Sequence, residues 1–240
     1  MGIVIRTLSD QAFDVIRERI LLAQIPPSTP IRQDALAKDL GISKIPLREA
    51  LSRLEEYGLL RSNANRGYYV PPLSVAEAED VFTLRLKIEP DAVAYACREA
   101  NAEDSKQAEL ALATLEEMSL VDAKRAVFFN RAFHLALLRP GGHQVTCLLL
   151  ERLHVLAERY THIHLTPIGR NLRANREHRD ILKAWMKRDA DKVRALTFEH
   201  INGTLEDLRK QLQDSMAPGR SPELSAQGPS AGRVRPRRRA

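Results

Sequence analysis

Residues 35–60 read ALAKDLGISKIPLREALSRLEEYGLL, and this stretch decides the fold of the N-terminal part of the chain. Gly41 predicts the end of a short helix over residues 32–40, because glycine readily adopts the left-handed conformation that closes helices. Ser43 is a favourable N-cap residue and predicts a second helix that runs to Tyr57. One face of that helix is apolar, at Leu47, Ala50, Leu51 and Leu54. Two short helices joined by a tight turn are therefore expected here.

The segments on either side complete a recognisable order of elements. Residues 9–22 carry apolar side chains at helical spacing and predict an amphipathic helix. Residues 59–70, LLRSNANRGYYV, predict two short strands around a polar turn. A helix, a helix-turn-helix unit and then a hairpin is the order found in winged helix-turn-helix domains, which bind DNA.

The cations of this region lie where such a domain contacts DNA. Lys44, Arg48 and Arg53 stand opposite the apolar face of the second helix, where side chains reach phosphates and base edges in the major groove. Arg66 and Gly67 occupy the tip of the hairpin, where a cation can enter the adjacent minor groove. Charge alone would equally describe a solvated helix face, so the order of elements carries the prediction.

The rest of the chain predicts a bundle of helices. Pro71 and Pro72 end the hairpin, because two consecutive prolines cannot continue a strand ladder. The apolar pattern then predicts helices, and no strand, over about residues 74–100, 103–119, 122–138, 143–165, 170–188 and 189–213. We expect a mainly α protein with three parts, which are a winged helix-turn-helix domain (1–72), an antiparallel all-α bundle (73–216) and a disordered basic tail (217–240).

Composition and charge exclude several classes of protein. The chain has 240 residues and a formal net charge of +6, but six arginines and one glutamate lie in residues 217–240. Because the basic balance comes mostly from the tail, the prediction of DNA binding rests on motifs rather than on charge. Cys97 and Cys147 are the only cysteines, which excludes a disulfide scaffold and a cysteine-ligated zinc site. No apolar run is long enough for a membrane span and no secretory signal is found, so we expect a cytoplasmic protein.

Three histidines stand out in the predicted bundle. His134, His178 and His200 each lie beside apolar residues on a different predicted helix, and Asn130 precedes His134 by four residues on the same face. Neutral imidazole nitrogens and one side-chain oxygen suit a divalent ion such as Zn, Ni or Mn. A single histidine on an apolar face is more often an ordinary core residue, and this alternative stays open.

These motifs together resemble a known family. LGISKIPLREALSRLEEYGLL (40–60) followed by NRGYYV (65–70) resembles the N-terminal domain of GntR-superfamily transcription factors. The helical remainder resembles the FadR-type C-terminal domain, called FCD, and the resemblance covers about residues 7–213. It implies DNA contacts at Ser43, Lys44, Arg48, Arg66 and Gly67. Lys44 stands where the family usually has arginine, and lysine cannot form the two-pronged contact of arginine with guanine.

The resemblance also implies a metal site and an effector pocket. Many FCD domains bind a metal through an Asp-x-x-x-His pair and two later histidines, and the matching residues are Asn130, His134, His178 and His200. Asparagine in place of aspartate is a weaker, neutral ligand. Arg85 matches an arginine that faces the effector pocket, where it and an open metal position would grip a carboxylate. The residues alone equally allow a surface arginine or a partner of Glu89. The other histidines match no family position and are interpreted as non-ligands: His143, His154, His162 and His164.

The resulting hypothesis is a homodimeric regulator that binds double-stranded operator DNA and responds to a small organic acid or sugar acid. One alternative is a metal-dependent enzyme that uses the histidines. Glu177 stands next to His178 but projects about 100° away from it on a helix, which leaves such an enzyme without a second charged group for acid–base chemistry. Another alternative is a DNA-binding architectural protein whose histidines belong only to the core. We expect no enzymatic activity.

Overall fold

A computed structural model describes residues 6–63, 67–165 and 170–216, with the backbone alone for 162–165, 170–171 and 212–216. The N-terminal part contains α1 (Leu8–Leu21), α2 (Gln33–Leu40), α3 (Lys44–Glu56), β1 (Arg61–Asn63) and β2 (Gly67–Tyr69). The C-terminal part contains α4 (Val75–Glu99), α5 (Ala102–Val121), α6 (Ala126–Leu138), α7 (Gln144–Leu165), α8 (Arg170–Met186) and α9 (Ala190–Met216). The predicted tail, residues 217–240, lies outside the described residues.

Local sequence signals account for the N-terminal domain. The side chain of Thr7 accepts a hydrogen bond from the backbone N–H of Asp10, whose side chain accepts one in return, and this capping box starts α1. Gly41 ends α2 with a φ of +64°. Ser43 occupies the N-cap position of α3, as predicted, but its side chain makes no capping hydrogen bond. The predicted apolar face of α3 is fully buried, at Leu47, Ala50, Leu51 and Leu54.

The hairpin completes a winged helix-turn-helix domain. β1 and β2 pair antiparallel, with Arg61 opposite Tyr69 and Asn63 opposite Gly67. Gly67 has a φ of +77°, a conformation that glycine adopts without strain at the start of β2. The predicted order of elements is therefore confirmed.

The C-terminal part is an all-α bundle in which α4 packs mainly against α9 and α7. Its largest fully buried side chains are Phe82, Phe133, Tyr160 and Trp185. The side chain of Ser74 caps α4 by accepting a hydrogen bond from the N–H of Glu77, as predicted. The predicted helix over 122–138 was too long, because Asp122 Oδ1 accepts from the N–H groups of Lys124 and Arg125 and delays the start of α6. The fold class, a winged helix-turn-helix domain followed by a helical bundle, is confirmed.

The two parts pack against each other through α7. Val155, although it belongs to α7, is buried in the same apolar cluster as Leu51 and Leu54 of α3. No helix within the described ranges is long and apolar enough to cross a membrane.

Candidate functional site

The first turn of α3 and the start of β2 meet at one surface. Lys44 Nζ pairs with Asp34 Oδ1 at 2.5 Å, and Arg48 Nε donates to Gln33 Oε1 at 3.3 Å. With Gly67, these residues line a surface concavity of about 310 Å³. The structure thus brings together Lys44, Arg48 and Gly67, three of the residues predicted to contact DNA, next to the N-cap residue Ser43. Arg66 lies outside the described residues.

Arg53 is engaged elsewhere, which corrects its place in the predicted DNA-contact set. Its Nη1 donates to Asp10 Oδ1 of α1 at 2.7 Å, and its guanidinium lies 4.7 Å from the centre of the Phe13 ring. Hydrogen bonds from Thr7 and Arg53 lower the pKa of Asp10 to about 2. Arg53 therefore fastens α3 to α1, and our DNA-contact proposal leaves it out.

Ile45 is a surface residue that the sequence reasoning missed. It lies in the first turn of α3 between Lys44 and Pro46, and 72% of it is exposed. An apolar side chain held in water at the end of a recognition helix can contact a thymine methyl group. Its position off the apolar stripe of α3 was the available signal.

The three singled-out histidines converge inside the bundle. His134 of α6, His178 of α8 and His200 of α9 are buried, and their ligand atoms lie within 4.8 Å of one another. His178 Nε2 and His200 Nε2 are 3.2 Å apart. Two nitrogens that bind the same ion at about 2.0–2.1 Å stand roughly 3.0–3.4 Å apart, so this spacing suits a shared metal. Asn130 lines the same small cavity as His134 and His200.

Two carboxylates orient these rings. His134 Nδ1 lies 3.3 Å from Glu89 Oε1, and His200 Nδ1 lies 2.7 Å from Glu177 Oε2. A carboxylate at Nδ1 holds the proton there and leaves Nε2 with a free lone pair for a metal. The prediction about Glu177 was incomplete, because it projects away from His178 on α8 but reaches His200 across to α9.

His154 lies beside this cluster, against our interpretation that it stands apart from any site. His154 Nε2 is 3.0 Å from Glu89 Oε1, and Glu89, His134 and His154 form a second buried group that could hold a metal. This proximity depends on how α7 packs on α4, which the sequence pattern does not give. Among the other predicted non-ligands, His143 stacks on Tyr95 with ring centres 4.4 Å apart, and the side chains of His162 and His164 lie outside the described part of the chain.

Burial keeps the cluster neutral. Loss of solvent lowers the pKa of His134 to about 3, although Glu89 opposes the shift. Burial also lowers the pKa values of His178 and His154. Burial raises the pKa of Glu89, but Arg85 and His154 outweigh this effect and hold it well below its ordinary value. Neutral imidazoles are the form that binds metals, so the rings need not lose a proton near pH 7.

The cluster also contains nitrogen atoms without partners. His134 Nε2 and His178 Nδ1 are buried and make no hydrogen bond among the described residues. A buried polar atom left unpaired destabilises a protein by about 1–3 kcal/mol. An ion bound between the rings would give His134 Nε2 the partner it lacks, so the residues present fit a divalent metal.

Arg85 borders the histidine cavity, but its guanidinium already has a partner. Its Nε and Nη2 donate to Glu89 Oε2 and Oε1 at 2.8 and 3.2 Å, the i,i+4 pairing left open by the sequence. The cavity shared by Arg85, Asn130, His134 and His200 has a volume of about 20 Å³. That volume holds an ion or one water, whereas sites for organic ligands usually measure about 300–1,000 Å³.

Comparisons with known families agree with this arrangement. The model of the FCD domain matches residues 80–203, and that of bacterial regulatory proteins of the gntR family matches residues 8–70. The chain belongs to the GntR family. It is a DNA-binding transcriptional regulator that carries an FCD domain, as the sequence resemblance implied.

Individual relatives of this GntR-family chain support the same conclusion. YdhC of Bacillus subtilis, an uncharacterized HTH-type transcriptional regulator, is 25% identical over 214 residues, which cover 85% of this chain and 92% of YdhC. RspR of Escherichia coli, an HTH-type transcriptional repressor, is 26% identical over 212 residues, which cover 87% of this chain and 92% of RspR. Because the family and these relatives are regulators, the prediction that the chain is not an enzyme is confirmed.

A solved structure shows the same fold. E. coli McbR/YncC superposes with a TM-score of 0.75 at 22% identity, over 87% of this chain and 100% of McbR/YncC. A Rhodococcus GntR regulator superposes with a TM-score of 0.66 at 17% identity, over 86% of this chain and 98% of the regulator.

Proposed function

We propose that this GntR-family regulator is a cytoplasmic homodimer whose operator affinity responds to a divalent metal and a small carboxylate effector. Residues 1–72 would bind DNA, and residues 73–216 would bind the effector and dimerise, with 217–240 as a tail. The observation that carries the proposal is the convergence of three neutral buried histidines beneath a DNA-binding domain. The experiment that tests it is a thermal-unfolding screen, described at the end of this subsection.

The DNA-reading surface is proposed to be the first turn of α3 together with the wing. Lys44 and the backbone at Ser43 would contact phosphate, and Arg48 would read a base edge in the major groove. Arg66 and Gly67 would bring the wing to the minor groove. Ile45 adds an apolar contact that fits a thymine methyl group.

The metal site is proposed to consist of His134, His178 and His200, with the side-chain oxygen of Asn130 as a further ligand. Zn, Ni and Mn all accept such donors. When bound, the ion supplies a fixed positive charge and joins α6, α8 and α9. Because these donors are all neutral, the ion keeps its full charge, which favours an anion at any open position.

The effector is proposed to be a small organic acid or sugar acid that Arg85 anchors. A guanidinium grips a carboxylate with two parallel hydrogen bonds, and Glu89 makes this kind of contact in the structure. The effector must therefore compete with Glu89 for Arg85. The small size of the cavity requires that the surrounding side chains also move apart.

An exposed apolar face of α7 is our candidate dimer interface. Val145, Leu148 and Leu149 lie at i, i+3 and i+4 and are 81%, 67% and 44% exposed. Two copies are needed because one winged helix-turn-helix unit contacts only one half-site, and a two-fold dimer contacts two.

Leu148→Asp should convert the dimer into a monomer, because the carboxylate would be buried in an apolar contact. Sedimentation velocity at micromolar concentration measures the change. Leu120→Asp is the matched control, since Leu120 on α5 is 84% exposed and lies outside this face. A dimer that survives Leu148→Asp but dissociates in Leu120→Asp would place the interface on α5.

The thermal-unfolding screen compares EDTA-treated protein before and after addition of Zn²⁺, Ni²⁺ or Mn²⁺, and then of small organic acids. A metal at 100 times its Kd should stabilise the fold by about 2.7 kcal/mol, and an acid should add to this only in the metal-loaded protein. Arg85→Lys keeps a charge beside Glu89 but loses the two-pronged grip, so it should bind metal and respond less to acids. A metal-free protein that still responds to an acid would leave the histidines as core residues and Arg85 as the sole anchor.

A further inference from the structure

A seven-residue segment of α7, residues 154–160, touches both the histidine cluster and the DNA-binding domain. At the cluster, His154 Nε2 is 3.0 Å from Glu89 Oε1, and the same oxygen lies 3.3 Å from His134 Nδ1. A single carboxylate oxygen of α4 therefore connects α7 with a proposed metal ligand on α6. A change in the ring position of His134 cannot leave this shared contact unaffected.

The next two residues of the segment belong to the DNA-binding domain by their packing. Val155 is 1% exposed within the apolar cluster that also buries Leu51 and Leu54 of α3. Leu156 lies directly against Gly58, which follows α3, so closely that a Cβ at Gly58 would stand 2.9 Å from Leu156 Cδ2. Close-packed contacts of this kind transmit displacements, because there is no free volume to absorb them.

Arg159 and Tyr160 hold the connection between the two domains. Arg159 Nη2 donates to the carbonyl oxygens of Pro71 and Pro72 at 2.6 and 3.3 Å, and its Nη1 donates to Glu77 Oε2 at 3.1 Å. The Tyr160 hydroxyl donates to Glu77 and accepts from the N–H of Ser74. The interdomain segment is thus bound to α7 along its length.

Glu158 adds a charged contact to the same junction. Its Oε1 accepts from Arg131 Nε at 2.7 Å, and its Oε2 lies 4.0 Å from Nε of Arg17 on α1. Arg131 belongs to α6, the helix that also carries His134. The pair therefore joins a helix of the histidine cluster to α1 through α7.

We propose that residues 154–160 of α7 transmit the state of the histidine cluster to the DNA-binding domain, with Arg159 as the contact that makes the transfer possible. This inference rests on the proposed metal-dependent function and names the element through which it acts. It differs from a path along α4 alone, in which the continuity of Pro71 and Pro72 with α4 would be sufficient.

Hydrogen exchange of the full-length protein, EDTA-treated and then loaded with Zn²⁺, tests the inference. Zn²⁺ should slow exchange around His134, His178 and His200, and also in residues 154–160 and 54–60. We expect a change of about fivefold or more at 54–60, the lower end of ordinary coupling between sites. In Arg159→Met the slowing should persist at the histidines and disappear from 54–60.

Two further variants keep the test interpretable. Arg188→Met is the matched control, because Arg188 Nη2 similarly donates to a backbone carbonyl, that of Ala100 at 2.7 Å, but at a junction within the bundle. It should behave as the wild type does. Tyr160→Phe removes only a hydroxyl and should weaken the response at 54–60 even if Arg159→Met fails to fold.

The possible results separate the inference from the function on which it rests. Slowing confined to the histidine helices, or an unchanged response at 54–60 in both Arg159→Met and Tyr160→Phe, would overturn the role of α7 and leave metal binding intact. Calorimetry with Zn²⁺ measures binding independently. If the wild type binds no Zn²⁺, the proposed metal function fails and the inference falls with it.

Discussion

Arg48→Ala should abolish specific operator binding and leave the fold intact. Arg48 is exposed on α3, and its hydrogen bond to Gln33 contributes little to stability. A two-pronged arginine–base contact contributes about 1–3 kcal/mol of discrimination, and a dimer makes two such contacts, so the expected loss is about 2–6 kcal/mol. Fluorescence anisotropy measures it with an operator duplex that the wild-type protein selects from a random-sequence library.

Two other variants serve as controls for this prediction. Arg53→Ala should change operator affinity far less, because Arg53 pairs with Asp10 of α1. Lys44→Ala should weaken binding to all sequences alike and reduce the salt dependence by about one unit, as expected of a phosphate contact. An Arg48→Ala protein with unchanged operator affinity would mean that the first turn of α3 is not the reading surface.

His178→Ala should lose metal binding, whereas His154→Ala should retain it. The two variants separate the overlapping groups that share His134, because each removes a residue unique to one group. Loss of a residue that only orients a ligand weakens metal binding by about 10–100-fold, so loss of the ligand His178 should exceed that range. Freshly purified wild-type protein should contain close to one metal per chain.

Elemental analysis and calorimetry with Zn²⁺ measure both variants, and far-UV circular dichroism confirms that each is folded. His143→Ala is a further control, because His143 lies against Tyr95 away from the cluster. Retention of metal by His178→Ala and its loss from His154→Ala would move the site to Glu89, His134 and His154.

Features set by neighbouring residues could be predicted from the sequence. The buried face of α3, the left-handed Gly41 and the cap at Ser74 follow from helix periodicity and capping chemistry alone. The delayed start of α6 is also local, but the side chain of Asp122 competes with the helix there, and apolar spacing does not detect that competition.

Features set by packing between helices could not be predicted in the same way. Periodicity shows which face of a helix is apolar, but it does not show which side chain of another helix lies opposite. The pairing of Arg53 with Asp10 joins residues 43 positions apart, and that of His154 with Glu89 joins residues 65 apart. For Arg85, both sequence-based alternatives describe part of the result, because the residue lines the cavity and binds Glu89.

The central claim is that metal in the histidine cluster and DNA on α3 affect each other, and operator affinity with and without Zn²⁺ tests it most directly. Wild-type protein should bind the selected duplex with an affinity that Zn²⁺ changes by about 5–150-fold, the range of ordinary allosteric coupling. By reciprocity, bound operator should change the affinity for Zn²⁺ by the same factor. His178→Ala should bind the duplex equally well in both conditions. Equal operator affinities for metal-free and Zn²⁺-loaded wild-type protein, with Zn²⁺ shown to be bound, would contradict the account.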